Sequence, residues 1–366
     1  MKNRSVFLII LGVFLFFITG CGAEKKAEKP EHIRYDFVFR RHIPDMAGVD
    51  AAEWKDRIVI AGADNLYTID RKSLKREEIN NQILKRSKIT GLYSIGESLY
   101  ISTTKGIAKY NGSFYMTSMD KVNSLIYDGS SMYLATDGGF YSSSTGLSSL
   151  DLYDETNSFL REYIENPDLS VRLKKINTLA YHDGKYYFGS DEGLAVTDNT
   201  FEEARFYFGD YIVPSLSNEL ITHKGNSPIA GNIINDIKVR GDEVWIATNS
   251  GLSVWTEETG SWKNYTADHT ERVRKDDEWH ETQIRGNSEL EGNYVRRLIP
   301  FNEFMIVATT SGLSIIDAEK RIFSKSFFTA PLYNIALVDE LLFIFTEFDG
   351  LYIFEYSEVS DEDSDR

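Results

Sequence analysis

A short pattern recurs seven times along the 366 residues: apolar, two variable, apolar, a polar turn, three apolar or aromatic residues, a small residue, Thr or Ser, two polar residues, then Gly and Leu or a relative. The clearest copy runs from Ile234 through Ile237 to Val244-Trp245-Ile246-Ala247-Thr248-Asn249-Ser250-Gly251-Leu252. A fixed repeat means that one small unit is used again and again, each covering its neighbour. The copies open at Val49, Ile89, Val122, Ile176, Ile234, Val295 and Leu332, and their second apolar runs begin at Ile58, Leu99, Met132, Tyr186, Val244, Met305 and Leu342. The interval is ten residues in six copies and nine in the first. The turn glycine falls at Gly106, Gly139, Gly193, Gly251, Gly312 and Gly350; the first copy has Asn65, the non-glycine residue best suited to a left-handed backbone. A small residue closes most runs, but Phe345 breaks that column in the last copy.

The apolar runs are too short for helices, rich in β-branched and aromatic residues, and apolar on both faces. A strand of that kind is covered on both sides. Seven units of about 40 residues therefore predict an all-β fold, a seven-bladed β-propeller of four-stranded antiparallel blades. The last copy spells out only three strands and ends near Tyr356, while Ile33–Arg41 alternates like a half-buried strand ahead of the first copy. Residues 33–41 are thus expected to supply the missing strand of the last blade and close the ring, leaving no long open edge.

Asn235-Asp236-Ile237, then Gly241 through Val244-Trp245-Ile246-Ala247-Thr248-Asn249-Ser250-Gly251-Leu252 to Trp255, and the tail Thr259-Gly260-Ser261-Trp262-Lys263-Asn264-Tyr265-Thr266, resemble the two-component-regulator propeller repeat. The resemblance covers residues 33–356 in outline and is loosest in the first and seventh copies. It implies the propeller fold and binding of a ligand or partner. The family's kinase role does not transfer, because no kinase or DNA-binding segment follows the repeats.

The N-terminus carries an address. Lys2 and Arg4 precede an apolar stretch from Val6 to Ile18, as in a signal peptide over residues 1–20. Ile18-Thr19-Gly20-Cys21 resembles a bacterial lipoprotein box, which implies a thioether lipid on Cys21 and acylation, as by palmitate, of the new terminus. Cys21 is the only cysteine, so the exported domain holds itself together without disulfides. Residues 21–32 read as a flexible tether, 33–356 as the propeller and 357–366 as a disordered acidic tail. The implied location is the extracytoplasmic side of a bacterial membrane, the outer one if the cell has two, since Gly22 rather than Asp follows the cysteine. The formal net charge of −16 argues against nucleic acid as a partner.

Three consecutive links between copies are long, with 37, 41 and 44 residues from turn glycine to next opening against 16 to 24 elsewhere. These inserts, 148–175, 209–233 and 266–293, elaborate one face. The first, with Tyr153, Phe159, Leu160, Tyr163 and Ile164, suggests a short amphipathic helix ended at Asn166-Pro167. The second offers Tyr211 and His223, the third Arg272, Arg274, Trp279 and His280. Trp279 in a charged loop either packs down on the propeller, the commoner fate, or meets a partner. The acids around it show no metal-ligand spacing, and no metal or cofactor is expected. Turn residues, among them Lys105, Asp137, Asp191 and Asn249, should ring the mouth of the central channel. None of the six histidines sits in a repeated turn, and nucleophile and phosphate motifs are missing. The expectation is a non-enzymatic envelope lipoprotein, a binding or scaffold module for a protein or glycan partner. A small-ligand sensor acting with a separate signalling protein, and a propeller lyase or hydrolase, are the alternatives.

Overall fold

The computed structural model describes residues 34–79, 81–154, 161–163, 170–172, 174–214, 220–275, 278–317 and 328–359. Cys21 and the segments read as signal peptide and tether lie outside them. The repeats fold into seven small antiparallel sheets, the blades of a β-propeller. Blades 1 to 5 are four-stranded, over residues 48–79, 89–118, 122–153, 176–207 and 234–265. Blade 6, residues 295–316, shows three strands plus a single bridge from Leu313 to Phe328. In blade 7, the strands Leu332–Val338, Leu341–Thr346 and Leu351–Val359 are joined by Arg34–Ile43, which lies beside the last of them. That closing strand extends two residues past the expected Arg41. Leu351–Val359 likewise runs three residues into the segment read as an acidic tail, because it stays paired. The main compact unit is Phe39–Glu355; 34–38 and 356–359 group separately, with Phe37 and Tyr356 rings 6.4 Å apart.

The middle strands are buried along their length, as in Met132–Thr136, Phe304–Thr309 and Leu341–Thr346. Each fully buried aliphatic or aromatic side chain there is worth roughly 1.5–3 kcal/mol. The Thr-x-x-Gly signature has a mechanical reason. In blades 2 to 7 the hydroxyl of Thr103, Thr136, Ser190, Thr248, Thr309 or Thr346 donates to the carbonyl of the turn glycine. The glycines have φ between 78° and 159°. A Cβ on them would also strike a carbonyl of the blade's outer strand, such as Thr117 O at 2.1 Å or Tyr153 O at 2.2 Å. At Gly350 the carbonyl is that of Ile43 at 2.3 Å, so the N-terminal strand fills in blade 7 the place the outer strand fills elsewhere. Asn65 departs from expectation: it is not in the left-handed region, and its carbonyl instead accepts from Gly62 N–H at 2.8 Å.

Every inner strand carries a β-bulge one residue after its first ladder position. This register corrects the first copy. Gly48, not Val49, holds the opening position, and the ten-residue interval holds in all seven. The small residue of one blade meets the opening side chain of the next: a Cβ on Gly189 would lie 2.5 Å from Ile234 Cγ2. At the junction of blades 7 and 1 the sizes are exchanged, since a Cβ on Gly48 would lie 2.4 Å from Phe345 Cδ1. The two irregularities of the repeat are one compensated pair.

Candidate functional site

All three inserts contain β-ribbons: Arg161–Tyr163 with Ser170–Arg172, Tyr211–Pro214 with Leu220–His223, and His269–Lys275 with Glu278–Ile284. The first replaces the expected helix over its described residues, and the sequence between its strands holds Pro167, a residue type that breaks helices. The second and third ribbons stand on the same clamp. Asn226 Oδ1 accepts from Phe208 N–H (3.0 Å) and its amide donates to Phe206 O (2.8 Å); Asn287 does so with Thr266 N–H (2.9 Å) and Asn264 O (2.9 Å). Asn232 Oδ1 accepts from Gly209 N–H and Asn293 Oδ1 from Ala267 N–H, at 2.7 and 2.6 Å. Asp210 and Asp268 accept from Gly225 and Gly286 N–H, at 2.9 and 2.8 Å. Only glycine fits at 225 and 286, where a Cβ would sit 2.3 Å from the backbone of residue 209 or 267. The signal was in the sequence, as Gly225-Asn226-Ser227 with Gly231-Asn232 against Gly286-Asn287-Ser288 with Gly292-Asn293. It lies in the links, where the blade repeat does not reach.

The clamps hold ribbons with little cover of their own. Tyr211 stacks on His223, with centroids 5.2 Å apart and planes at 15°, and its hydroxyl is buried without a hydrogen bond, which pushes its pKa up. Trp279 does not pack down; it is 66% exposed, and His280 beside it is exposed. In register Trp279 faces Arg274, Val273 faces His280, and Arg272 faces Glu281. The side chains of 279–283 are all exposed, so both faces of this strand meet solvent there and Trp279 is not packed down. Topology puts further exposed aromatics on this face: Tyr294 entering blade 6, Tyr333 at the bulge of blade 7, and Phe348, 86% exposed, in that blade's extended turn.

The expected turn residues separate. Lys105 is exposed. Asp137 Oδ1 accepts from Asn123 (2.9 Å); Asp191 accepts from Asn177 (2.8 Å) and pairs with Lys175 (2.8 Å); Asn249 Oδ1 accepts from Ile233 N–H (3.3 Å). These three tie each turn to the entry of its own blade.

A constellation unforeseen from the sequence lies in the channel. Asp50 and Asp236, both immediately after a bulge, are buried, and each accepts the inner-edge N–H of the next blade: Leu92 and Leu298, both at 2.9 Å. Asp236 also accepts from Ile237 N–H (3.0 Å) and Lys238 Nζ (2.9 Å), with Arg297 Nε 3.6 Å away. Burial pushes the Asp236 carboxyl up, but Lys238 and Arg297 outweigh it and hold its pKa below the ordinary value. Asp50, where burial dominates over the more distant Arg297, is raised. Two acids thus stand with two cations at this level of the channel, in a strongly acidic chain. Among the described residues no group of His, Cys, Asp or Glu is placed to hold a metal.

No family model matches the chain, and no curated protein matches it. Solved structures do. The extracellular domain of a hybrid two-component system from B. thetaiotaomicron aligns over 87% of this chain at 14% identity and TM-score 0.60; the match covers 42% of that chain. A chain of the mitotic checkpoint complex aligns over 92% of this chain and 96% of its own, at 11% identity and TM-score 0.56. Streptogramin B lyase aligns over 89% of this chain and 98% of its own, at 12% identity and TM-score 0.52. At such identities the likeness shows the propeller fold alone.

Proposed function

We propose that this chain is a binding module of the bacterial cell envelope, tethered by a lipid on Cys21, which engages a protein or glycan partner through the ribbon-bearing face. One observation carries the reading: two ribbons on duplicate clamps, one of them presenting Trp279 to solvent. A Trp held out on a braced ribbon costs solubility and adds nothing to the core, whereas aromatic anchors are what binding surfaces use. In this reading the chain is not an enzyme, and it takes no cofactor and no nucleic acid.

The test is crosslinking and pull-down from membranes, comparing the intact protein with a variant lacking 270–283. A wider deletion of 267–291, which the loop's sequence suggests, removes Ala267 and Leu290 from the core. The shorter one keeps Asp268, Gly286 and Asn287, so the melting temperature should hold while partner recovery falls about tenfold or more. Unchanged recovery overturns the reading. The sensor alternative draws on the propeller's likeness to a two-component extracellular domain, and recovery of a membrane kinase with the intact protein alone favours it. For the tether, Cys21→Ser should abolish acyl labelling and release the protein from the membrane fraction; labelling that persists overturns the lipid assignment.

A further inference from the structure

Four consecutive inner strands share a latch at their bulges. Thr90 Oγ1 donates to Val122 O (2.5 Å), and the amides of Asn123, Asn177 and Asn235 donate to Ile176 O (2.9 Å), Ile234 O (3.1 Å) and Val295 O (2.7 Å). Each bond crosses to the opening residue of the next blade. The three amide nitrogens are thereby committed, which fixes which way each amide lies. Among the described residues none of the three Oδ1 atoms has a hydrogen-bond partner, and none is a buried unpaired atom, so each meets solvent. Equivalent positions on blades 3, 4 and 5 therefore present a rigid arc of carbonyl oxygens at the rim of the channel mouth, on the ribbon-bearing face.

We infer that this arc is a subsite for an organic cation with several N–H donors, an amine of the polyamine type. Oxygens that only accept select a ligand that chiefly donates. The charge of that ligand is set by Asp137, whose Oδ1 holds Asn123 and whose carboxylate has no cationic side chain within ion-pair distance among the described residues. Asp120 adds to the field at the same turn, its Oδ2 being 2.2 Å from where a Cβ on Gly138 would stand. One blade further, Asp191 is already paired with Lys175. Lys238 and Arg297 lie deeper and are answered by Asp236. An ammonium group at Asp137, with its neighbours donating along Asn123, Asn177 and Asn235, satisfies every free acceptor of the arc. A charge-assisted bond of this kind is about twice as strong as a neutral one, so an amine outcompetes a neutral polyol there.

The probe is spermidine, titrated calorimetrically into the full-length protein in detergent at low and at physiological salt. Saturable binding is expected, with no saturable heat from sorbitol. Asp137→Asn keeps an acceptor for Asn123 and removes the charge; it should weaken spermidine binding about tenfold or more without lowering the melting temperature. Asn177→Ala should weaken it also, and if that variant unfolds, Asp137→Asn still decides. Glu97→Gln, an exposed acid in a turn on the opposite face, should bind like the parent and thereby exclude general attraction to an acidic surface. Absence of saturable binding, equal affinity in Asp137→Asn, or equal affinity for sorbitol overturns the assignment.

Discussion

Replacing Asp236 by Ala should destabilise the protein by about 3–5 kcal/mol at neutral pH, because the change takes a buried carboxylate from two half-buried cations and leaves a buried inner-edge N–H without its acceptor. For a folded unit of this size that is a fall in melting temperature of roughly 4–7 °C, read by calorimetry. The mechanism is specific. Asp236 Oδ2 joins blade 5 to Leu298 of blade 6, and Oδ1 receives Ile237 N–H and Lys238. The pH dependence follows from its lowered pKa. The stability it contributes is present above the unfolded carboxylate value near about 3.9 and is lost as pH falls through the folded value. The difference between parent and Asp236→Ala should therefore be full at neutral pH and shrink in acid. Asp50 works in the opposite sense: its raised pKa means that its contribution is complete below the unfolded value and declines as pH rises through the folded one. A penalty for Asp236→Ala that is small, or that persists unchanged into strong acid, would show that the carboxylate does not hold the channel.

Phe345→Ala should cost a similar amount, about 3–5 kcal/mol, since it empties a fully buried ring from the junction of the last and first blades. The cavity cannot collapse easily, because Gly48 opposite has no side chain to move in and both strands are fixed in their ladders. Gly48→Val in the parent should also be strongly destabilising, as the new Cβ would lie 2.4 Å from Phe345 Cδ1. Overpacking of this kind costs about 1–3 kcal/mol or more.

How far the residues announced all this depends on where the repeat reaches. The blades were legible because each middle strand must be apolar on both faces and each turn needs a hydroxyl and a glycine, as Thr248 and Gly251 show. The closing strand was legible because the last copy lacked one and Ile33–Arg41 alternated. The nine-residue first interval and Phe345 looked like two separate irregularities, since the pairing of Gly48 with Phe345 joins residues nearly 300 apart. The ribbons were hidden because residues such as Pro214, Asn218 and Gly225 read as loop, and only the clamp makes strands of their flanks. Asp50 and Asp236 stood at positions the pattern treats as variable, although the bulge before them is what lets a carboxylate reach the neighbouring edge. Trp279 was visible but not its exposure, which it shares with the rest of 279–283. The turn acids were legible as turn residues, but not the ties they make, since Asp137 and Asp191 accept from the asparagines that open their own blades.

The closed ring is tested most directly by the double variant Gly48→Val with Phe345→Ala. It recreates at the seam the small-to-branched pair that Ala247 and Val295 form between blades 5 and 6. If the first and last blades are in contact, the double variant is more stable than the sum of the two single penalties predicts, with a coupling of roughly 1–3 kcal/mol by chemical denaturation. Strict additivity of the two changes would mean that blades 7 and 1 do not meet, and the ring would be open.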